Sequence, residues 1–217
     1  MSRVKTPPNE PPRAVLFDID GVLIHSMFHP DPNRCRRWDQ HMQQDLGIGR
    51  QEWKAFFGSR FADIVRDKKS LITELADFLP TIGYQGSPMT FLAYWLKHDN
   101  QINLQLIEAI KRLAKNPSIE IYLATNQEHL RAMHLWTNAG FSNIFKDMFY
   151  AARFGEAKPD KAYFEAVDAQ LGPQTQPPLF FDDAQNNVDA ANAHGWEAVL
   201  FDVTKDFTSH PWIAPRI

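Results

Sequence analysis

Apolar positions along this chain fall into two textures. Val15, Leu16 and Phe17 are apolar at consecutive positions, the pattern of a short strand buried on both faces of a parallel sheet. The runs IEIYLATN, DMFYAA, PLFFDDA and EAVLFD predict four further strands. Between them NLQLIEAIKRLAKN, EHLRAMHLWTNAGF, DKAYFEAVDAQLG and NNVDAANAHG predict helices. Leu106, Ile110 and Leu113 recur on one face of the first of these, and Gly140 is expected to cap the second. Strands alternating with helices predict an α/β fold, a Rossmann-like parallel sheet flanked by helices.

The second texture runs from about Pro30 to Asn100 and contains helical patterns without a convincing strand. PDPNRCRRWDQHMQQDLGI predicts one helix ending near Gly47, and RQEWKAFFGS a second ending near Gly58. KSLITELADFLPTI predicts a third, broken by Pro80. SPMTFLAYWLKHD predicts a fourth, with Ser87 as N-cap and Pro88 at the first helical position. The expected organisation is a flexible proline-rich tail over 1–12, a core over 13–29 and 101–217, and an all-helical insertion over 30–100. The large aromatics of the insertion (Trp38, Trp53, Phe56, Phe57, Phe91 and Trp95) are expected to form its own core.

Composition narrows the function classes. The 217 residues are enough for one large domain, or for a core with a smaller insertion. A net charge of −3 leaves no basic footprint, so no nucleic-acid partner is expected. No run approaches the roughly 18 apolar residues of a membrane helix, and no signal-peptide pattern is seen. The single cysteine, Cys35, cannot form an internal disulfide, is expected to be inert, and suggests a reducing compartment. A cytoplasmic monomer or homodimer is the expectation.

Chemistry collects where the strands end. LFDID ends in Asp18 and Asp20, IYLATN in Thr125 and Asn126, and LFFDD in Asp182 and Asp183. GEAKPDKAYF presents Lys158 just before a helix. Parallel strands aim their carboxyl ends the same way, so these groups are expected to converge on one site. Carboxylates that close repel unless a cation or proton is shared between them. An all-oxygen cluster without Cys or His suits Mg²⁺ beside a phosphate better than zinc. Asp18 can then act as nucleophile in phosphoryl transfer, and Asp20 can exchange protons with the leaving oxygen and with water. Thr125 and Asn126 can donate to phosphate oxygens, and Lys158 can neutralise both phosphate and carboxylate.

With these motifs in order, the chain resembles the haloacid dehalogenase-like hydrolases, in the subgroup whose helical cap is inserted after the first strand. DIDG, ATN, AKP and DDAQNN stand in the family's order between Ala14 and about Asp202. The resemblance implies that Asp18 is the nucleophile and a magnesium ligand. Asp20 becomes the general acid/base, with its backbone carbonyl on the metal. It implies that Thr125, Asn126 and Lys158 hold phosphate, with Lys158 also pairing Asp18. Asp183 becomes the main carboxylate ligand, Asp182 helps directly or through water, and Asn187 buttresses the loop. Val22, His25 and Ala184 depart from common residues of the pattern, at positions that bear on loop packing and substrate.

The leading expectation is a magnesium-dependent phosphatase for a small phosphorylated metabolite. A phosphomutase shares the same core residues. A dehalogenase or phosphonate hydrolase is disfavoured by Asp20. A phospho-accepting signalling module is disfavoured by the order of the acidic groups, and an inactive binding protein by the complete reactive set. Arg36 and Arg37 are expected on solvated faces, although a cap arginine could reach phosphate. His129 and His134 are expected to be solvent-facing or packed rather than ligands.

Overall fold

The computed structural model describes residues 12–27, 29, 31 and 35–217. Five parallel strands form one sheet: β1 (Arg13–Phe17), β2 (Ile119–Thr125), β3 (Met148–Tyr150), β4 (Leu179–Asp182) and β5 (Glu197–Leu200), in the order β3-β2-β1-β4-β5. The central strand explains its unbroken apolar run. Val15 and Phe17 pack into a cluster on one face, whereas Ala14 and Leu16 pack on the other. β2 divides the same way, with Ile121 and Leu123 against Tyr122 and Ala124. A strand covered on both faces has no polar side to show.

Between β1 and β2 lie α1 (Met42–Leu46), α2 (Arg50–Ser59), α3 (Phe61–Ile64), α4 (Leu71–Phe78), α5 (Pro88–His98) and α6 (Leu104–Leu113). The core continues through α7 (His129–Thr137), α8 (Ala151–Phe154), α9 (Lys161–Leu171), α10 (Gln185–His194) and α11 (Thr204–Thr208). Trp38, Trp53, Phe56, Phe91 and Trp95 are buried in a hydrophobic cluster separate from those of the sheet. Trp53 sits among six ring neighbours, stacked on Phe56 at 5.0 Å between ring centroids and 4.4 Å from Phe91.

Some local expectations need correction. The single helix expected over PDPNRCRRWDQHMQQDLGI is reduced, among its described residues, to Met42–Leu46. Arg36 is drawn instead into buried ion pairs, and Asp39 pairs with Arg37 and Arg50, contacts that override helix propensity. Gly140 is not the C-cap of α7. That place is taken by Asn138, and Gly140, at φ 78°, opens the short 3₁₀ turn Phe141–Asn143. DMFYAA is strand only to Tyr150, because its two alanines begin α8. The expected tail lies outside the described residues, except Pro12.

Ser87 does cap α5, accepting from the Thr90 amide at 3.2 Å, with Pro88 next. Ser87→Ala is expected to cost about 1 kcal/mol, measurable as a lower urea midpoint with an unchanged m-value.

Two features tie the helical unit to the sheet. The linkers run antiparallel, with His25 N donating to Gln101 O (3.1 Å) and Asn103 N to Leu23 O (2.8 Å). At the far side Val65 packs on Ala151 and Ala157. Beside it Arg66 pairs with Asp160 at 2.7 Å, and Asp67 lies 3.4 Å from the His129 ring.

Candidate active site

Register places the two acidic strand ends together. Phe17 is paired with Phe181, and the Asp18 amide donates to Phe181 O at 2.9 Å. Asp18 and Asp182 are therefore neighbours at the carboxyl edge, where an open α/β sheet binds ligands. Asp18, Asp182 and Asp183 each offer an oxygen, and those atoms all lie within 4.8 Å of one another.

Lys158 reaches between them. Its Nζ donates to Asp182 Oδ2 at 2.5 Å and to Ala124 O at 2.9 Å, and lies 3.1 Å from Asp18 Oδ1. Its backbone is held by Asn126, whose Oδ1 accepts from Lys158 N and whose Nδ2 donates to Lys158 O, both at 2.9 Å. The Asn126 side chain is thus engaged in fixing the lysine loop. Thr125 is buried at the end of β2, its hydroxyl 3.5 Å from Gln127 Nε2. Asn187 donates to both Asp182 oxygens at 3.1 and 3.2 Å, and Ala184 N donates to Oδ1 at 2.9 Å. Asp182, fully buried, consequently has both oxygens occupied.

Asp18 and Asp183 differ from it. Asp18 Oδ1 is buried, and its described contact is the ion pair with Lys158 at 3.1 Å. Asp183 is exposed, and its carboxylate lies against Gly21 so closely that a Cβ there would sit 1.9 Å from Oδ2. Gly21, at φ 87°, closes the turn after β1 with its N–H on Ile24 O at 2.7 Å. Only glycine satisfies both the backbone and the space.

The electrostatics follow from this crowding. Burial, with the neighbouring Asp182 and Asp183, pushes the Asp18 carboxyl up to about 7 despite Lys158. Although the residue is open to solvent, desolvation of its carboxyl, packed against Gly21, and the neighbouring Asp182 push Asp183 up to about 6. Lys158 is also buried, but Asp18 and Asp182 more than offset that and raise its pKa. Three carboxylates against one ammonium leave the cluster with excess negative charge.

Asp20 is in a different situation. Its Oδ2 accepts from Arg131 Nη1 and Gln127 Nε2, both at 2.6 Å, and its Oδ1 from Arg131 Nη2 at 2.8 Å. Arg36 Nη1 and Nη2 also reach Oδ1, each at 3.2 Å. Burial opposes ionisation, but Arg131 and Arg36 outweigh it and hold the carboxyl well below the usual range. Arg36 is thus not on a solvated face: it and Arg131 are each only 3% exposed. Of these partners, Gln127 stands just before Glu128, the N-cap of α7, and Arg131 lies in the first turn of that helix. Asp99, which contacts both arginines, carries no sequence signal.

The haloacid dehalogenase-like hydrolase family matches residues 12–195. The chain belongs to this family. It is a hydrolase by descent, and its parallel sheet is the family's. It is 26% identical over 195 residues to a phosphoglycolate phosphatase of Pseudomonas putida, covering 88% of this chain and 70% of that protein. A second phosphoglycolate phosphatase, from Pseudomonas savastanoi, is 25% identical and covers 85% and 67%. Among solved structures, a magnesium complex of a family enzyme from Bacteroides thetaiotaomicron superposes with a TM-score of 0.70 at 19% identity, covering 88% of this chain and 94% of that one. A complex of that enzyme with magnesium and inorganic phosphate gives 0.68 at 17% identity, covering 87% and 93%. Among the described residues no helix is long and apolar enough to cross a membrane.

Proposed function

We propose that this hydrolase is a magnesium-dependent phosphatase that cleaves a small phosphorylated metabolite through a covalent aspartyl-phosphate on Asp18. The observation that carries the reading is the convergence of three carboxylates, Asp18, Asp182 and Asp183, on the single ammonium of Lys158 at the carboxyl edge of the sheet. The donor set is all oxygen, as a hard cation prefers. The curated relatives named as phosphatases support the reaction class.

In this reading Asp18, Asp183 and the Asp20 backbone carbonyl hold Mg²⁺, which supplies positive charge beside the phosphate oxygens. Asp182 acts mainly by anchoring Lys158, since its oxygens are already taken. Asp18 attacks phosphorus and the bond to the leaving oxygen breaks, with Lys158 neutralising Asp18 and the incoming phosphate. Thr125 offers its hydroxyl to phosphate. Asn126 contributes by fixing the lysine loop. Asp20 gives the leaving oxygen its proton and later takes one from the water that hydrolyses the acyl phosphate. Both Asp20 oxygens accept from cationic or amide donors in this arrangement, so substrate must replace one arginine contact and Asp20 must take up a proton from water before it can give one to the leaving oxygen. The helical unit over 30–100 serves as a cap, its Arg66 and Asp67 contacts closing over the site.

The experiment is a panel of phosphorylated metabolites assayed with Mg²⁺ and with excess EDTA. Magnesium-dependent phosphate release from at least one monoester is expected. Release from none, or equal release in EDTA, overturns the reading.

A thermal consequence has a definite sign. A carboxyl whose folded pKa lies above its unfolded value makes the native state bind more protons, so stability falls as pH rises between the two values. For Asp18 that window runs from about 4 to 7, and for Asp183 from about 4 to 6. Without metal, Tm should decline from pH 5 to pH 8. Millimolar Mg²⁺ should raise Tm more at pH 8 than at pH 5, where protons compete for the same oxygens. Differential scanning fluorimetry at both pH values checks it, and an equal Mg²⁺ shift at both counts against Asp18 and Asp183 as ligands.

A further inference from the structure

We propose that Asp99, in the linker that returns from the helical unit, is a positioning residue for Asp20, acting through Arg36 and Arg131. The inference rests on the reading above only in that Asp20 takes part in the reaction. Asp99 Oδ1 lies 2.5 Å from Arg36 Nε, and Oδ2 lies 3.0 Å from Arg131 Nε. Each of those arginines turns its other nitrogens to Asp20. The four side chains form a closed ring of alternating charge: Asp20, Arg36, Asp99, Arg131.

Each member of the ring has a different origin. Asp20 belongs to the turn after β1, Arg36 to the outgoing linker, Asp99 to the returning linker and Arg131 to the first turns of α7. Asp99 is itself fixed, accepting from Trp95 Nε1 at 2.9 Å at the end of α5. Arg131 is fixed by Gln127 Oε1 at 2.7 Å, and Glu128 caps its helix by accepting from the Leu130 and Arg131 amides. Arg36 Nη1 also donates to His25 O at 2.6 Å.

Charge balance makes the arrangement cooperative. Two buried guanidiniums against two carboxylates leave no excess, whereas two against one leave a buried cation uncompensated. Without the Asp99 charge the arginines repel across Asp20, and at least one must turn toward water. The longer Arg36 contacts, 3.2 Å against 2.6 and 2.8 Å for Arg131, mark Arg36 as the member that leaves. Asp20 then keeps Arg131 and Gln127 but loses one of its two guanidinium partners, and its orientation loosens although Asp99 never touches it. The ring also makes the linkers and the catalytic turn one mechanical unit. The Asp18 and Asp183 side chains lie outside the ring, and Asp20 meets the metal in this reading only through its backbone carbonyl, so Mg²⁺ binding should change little.

The test compares wild type, Asp99→Asn, Asp99→Glu and Arg131→Lys, using p-nitrophenyl phosphate with Mg²⁺ and, separately, amide hydrogen exchange on the metal-free whole chain. Asp99→Asn is expected to lower kcat at least tenfold, with KM and the Mg²⁺ concentration for half-activity each within threefold of wild type. Asp99→Glu should restore part of kcat. Exchange should quicken in residues 19–24, remote in sequence from the substitution. If Asp99→Asn does not fold, Arg131→Lys keeps the charge balance but loses the two-pronged contact, and the same kcat criterion applies to it. An unchanged kcat, or a loss carried mainly by KM or by Mg²⁺ affinity, overturns the proposal. If wild type hydrolyses no phosphomonoester, the phosphatase reading fails while the exchange measurement still decides the positioning claim. Faster exchange confined to residues 95–103 overturns it.

Discussion

Asp18→Asn is expected to lower phosphatase turnover by at least about 10⁴-fold while leaving the protein folded. The substitution keeps the shape of a side chain wedged between Lys158 and the end of β4, but replaces a nucleophilic carboxylate with an amide. Hydrogen bonding at its backbone is untouched, since the Asp18 amide still donates to Phe181 O. In wild type at pH 8 without metal, ionised Asp18 is held in a buried cluster with two other carboxylates, which raises its pKa to about 7. The amide avoids that penalty, so the metal-free Tm of the variant at pH 8 should not fall below that of wild type. Steady-state assays and a thermal scan check the two halves. Appreciable turnover by a folded Asp18→Asn protein would exclude Asp18 as nucleophile.

Lys158→Met should do what Asp18→Asn does not, and damage activity and stability together. Lys158 is buried and is the only cation in direct contact, among the described residues, with both Asp18 and Asp182. Its removal strands two buried carboxylates, at a cost of about 3–5 kcal/mol. Turnover should fall below detection, because both the nucleophile and the phosphate lose their neutralising charge. Lys158→Arg should rescue little. The ammonium reaches Ala124 O, Asp182 and Asp18 from one point, which a planar guanidinium cannot reproduce. Urea unfolding of the three proteins without metal measures the loss. A Lys158→Met variant as stable as wild type would mean that the ion pair is not the anchor described here.

The parts of the fold that were legible in the sequence share a physical reason. Val15 to Phe17, the IEIYLAT run and LFF are continuous apolar stretches because both faces of the sheet are covered, and that pattern is local. Ser87 and Pro88 announce a helix start because the cap bond spans only three residues. Asp18, Asp182, Asp183 and Lys158 were readable for a related reason: a parallel sheet brings its strand ends to one edge whatever the loops between them do. Asn126 was also visible, yet its side chain turned out to hold the Lys158 backbone, a contact across 32 positions that no motif describes.

Local pattern misled where tertiary contacts were stronger. Arg36 sits in a helix-compatible, highly charged stretch and reads as a solvated face, but buried ion pairs with Asp20 and Asp99 hold it in connecting chain outside any helix. The sequence by itself determined the parallel α/β architecture, the run of helices between β1 and β2 and the acidic and basic groups that meet at the strand ends, because these follow from periodicity and from the common direction of the strands. Only the tertiary structure decided which carboxylate is left open, which one is consumed in anchoring Lys158, and that Asp20 is gripped by arginines from two distant segments. Those distinctions depend on which donors come within about 3 Å of each oxygen, and that distance is set by the packing of segments far apart in the chain.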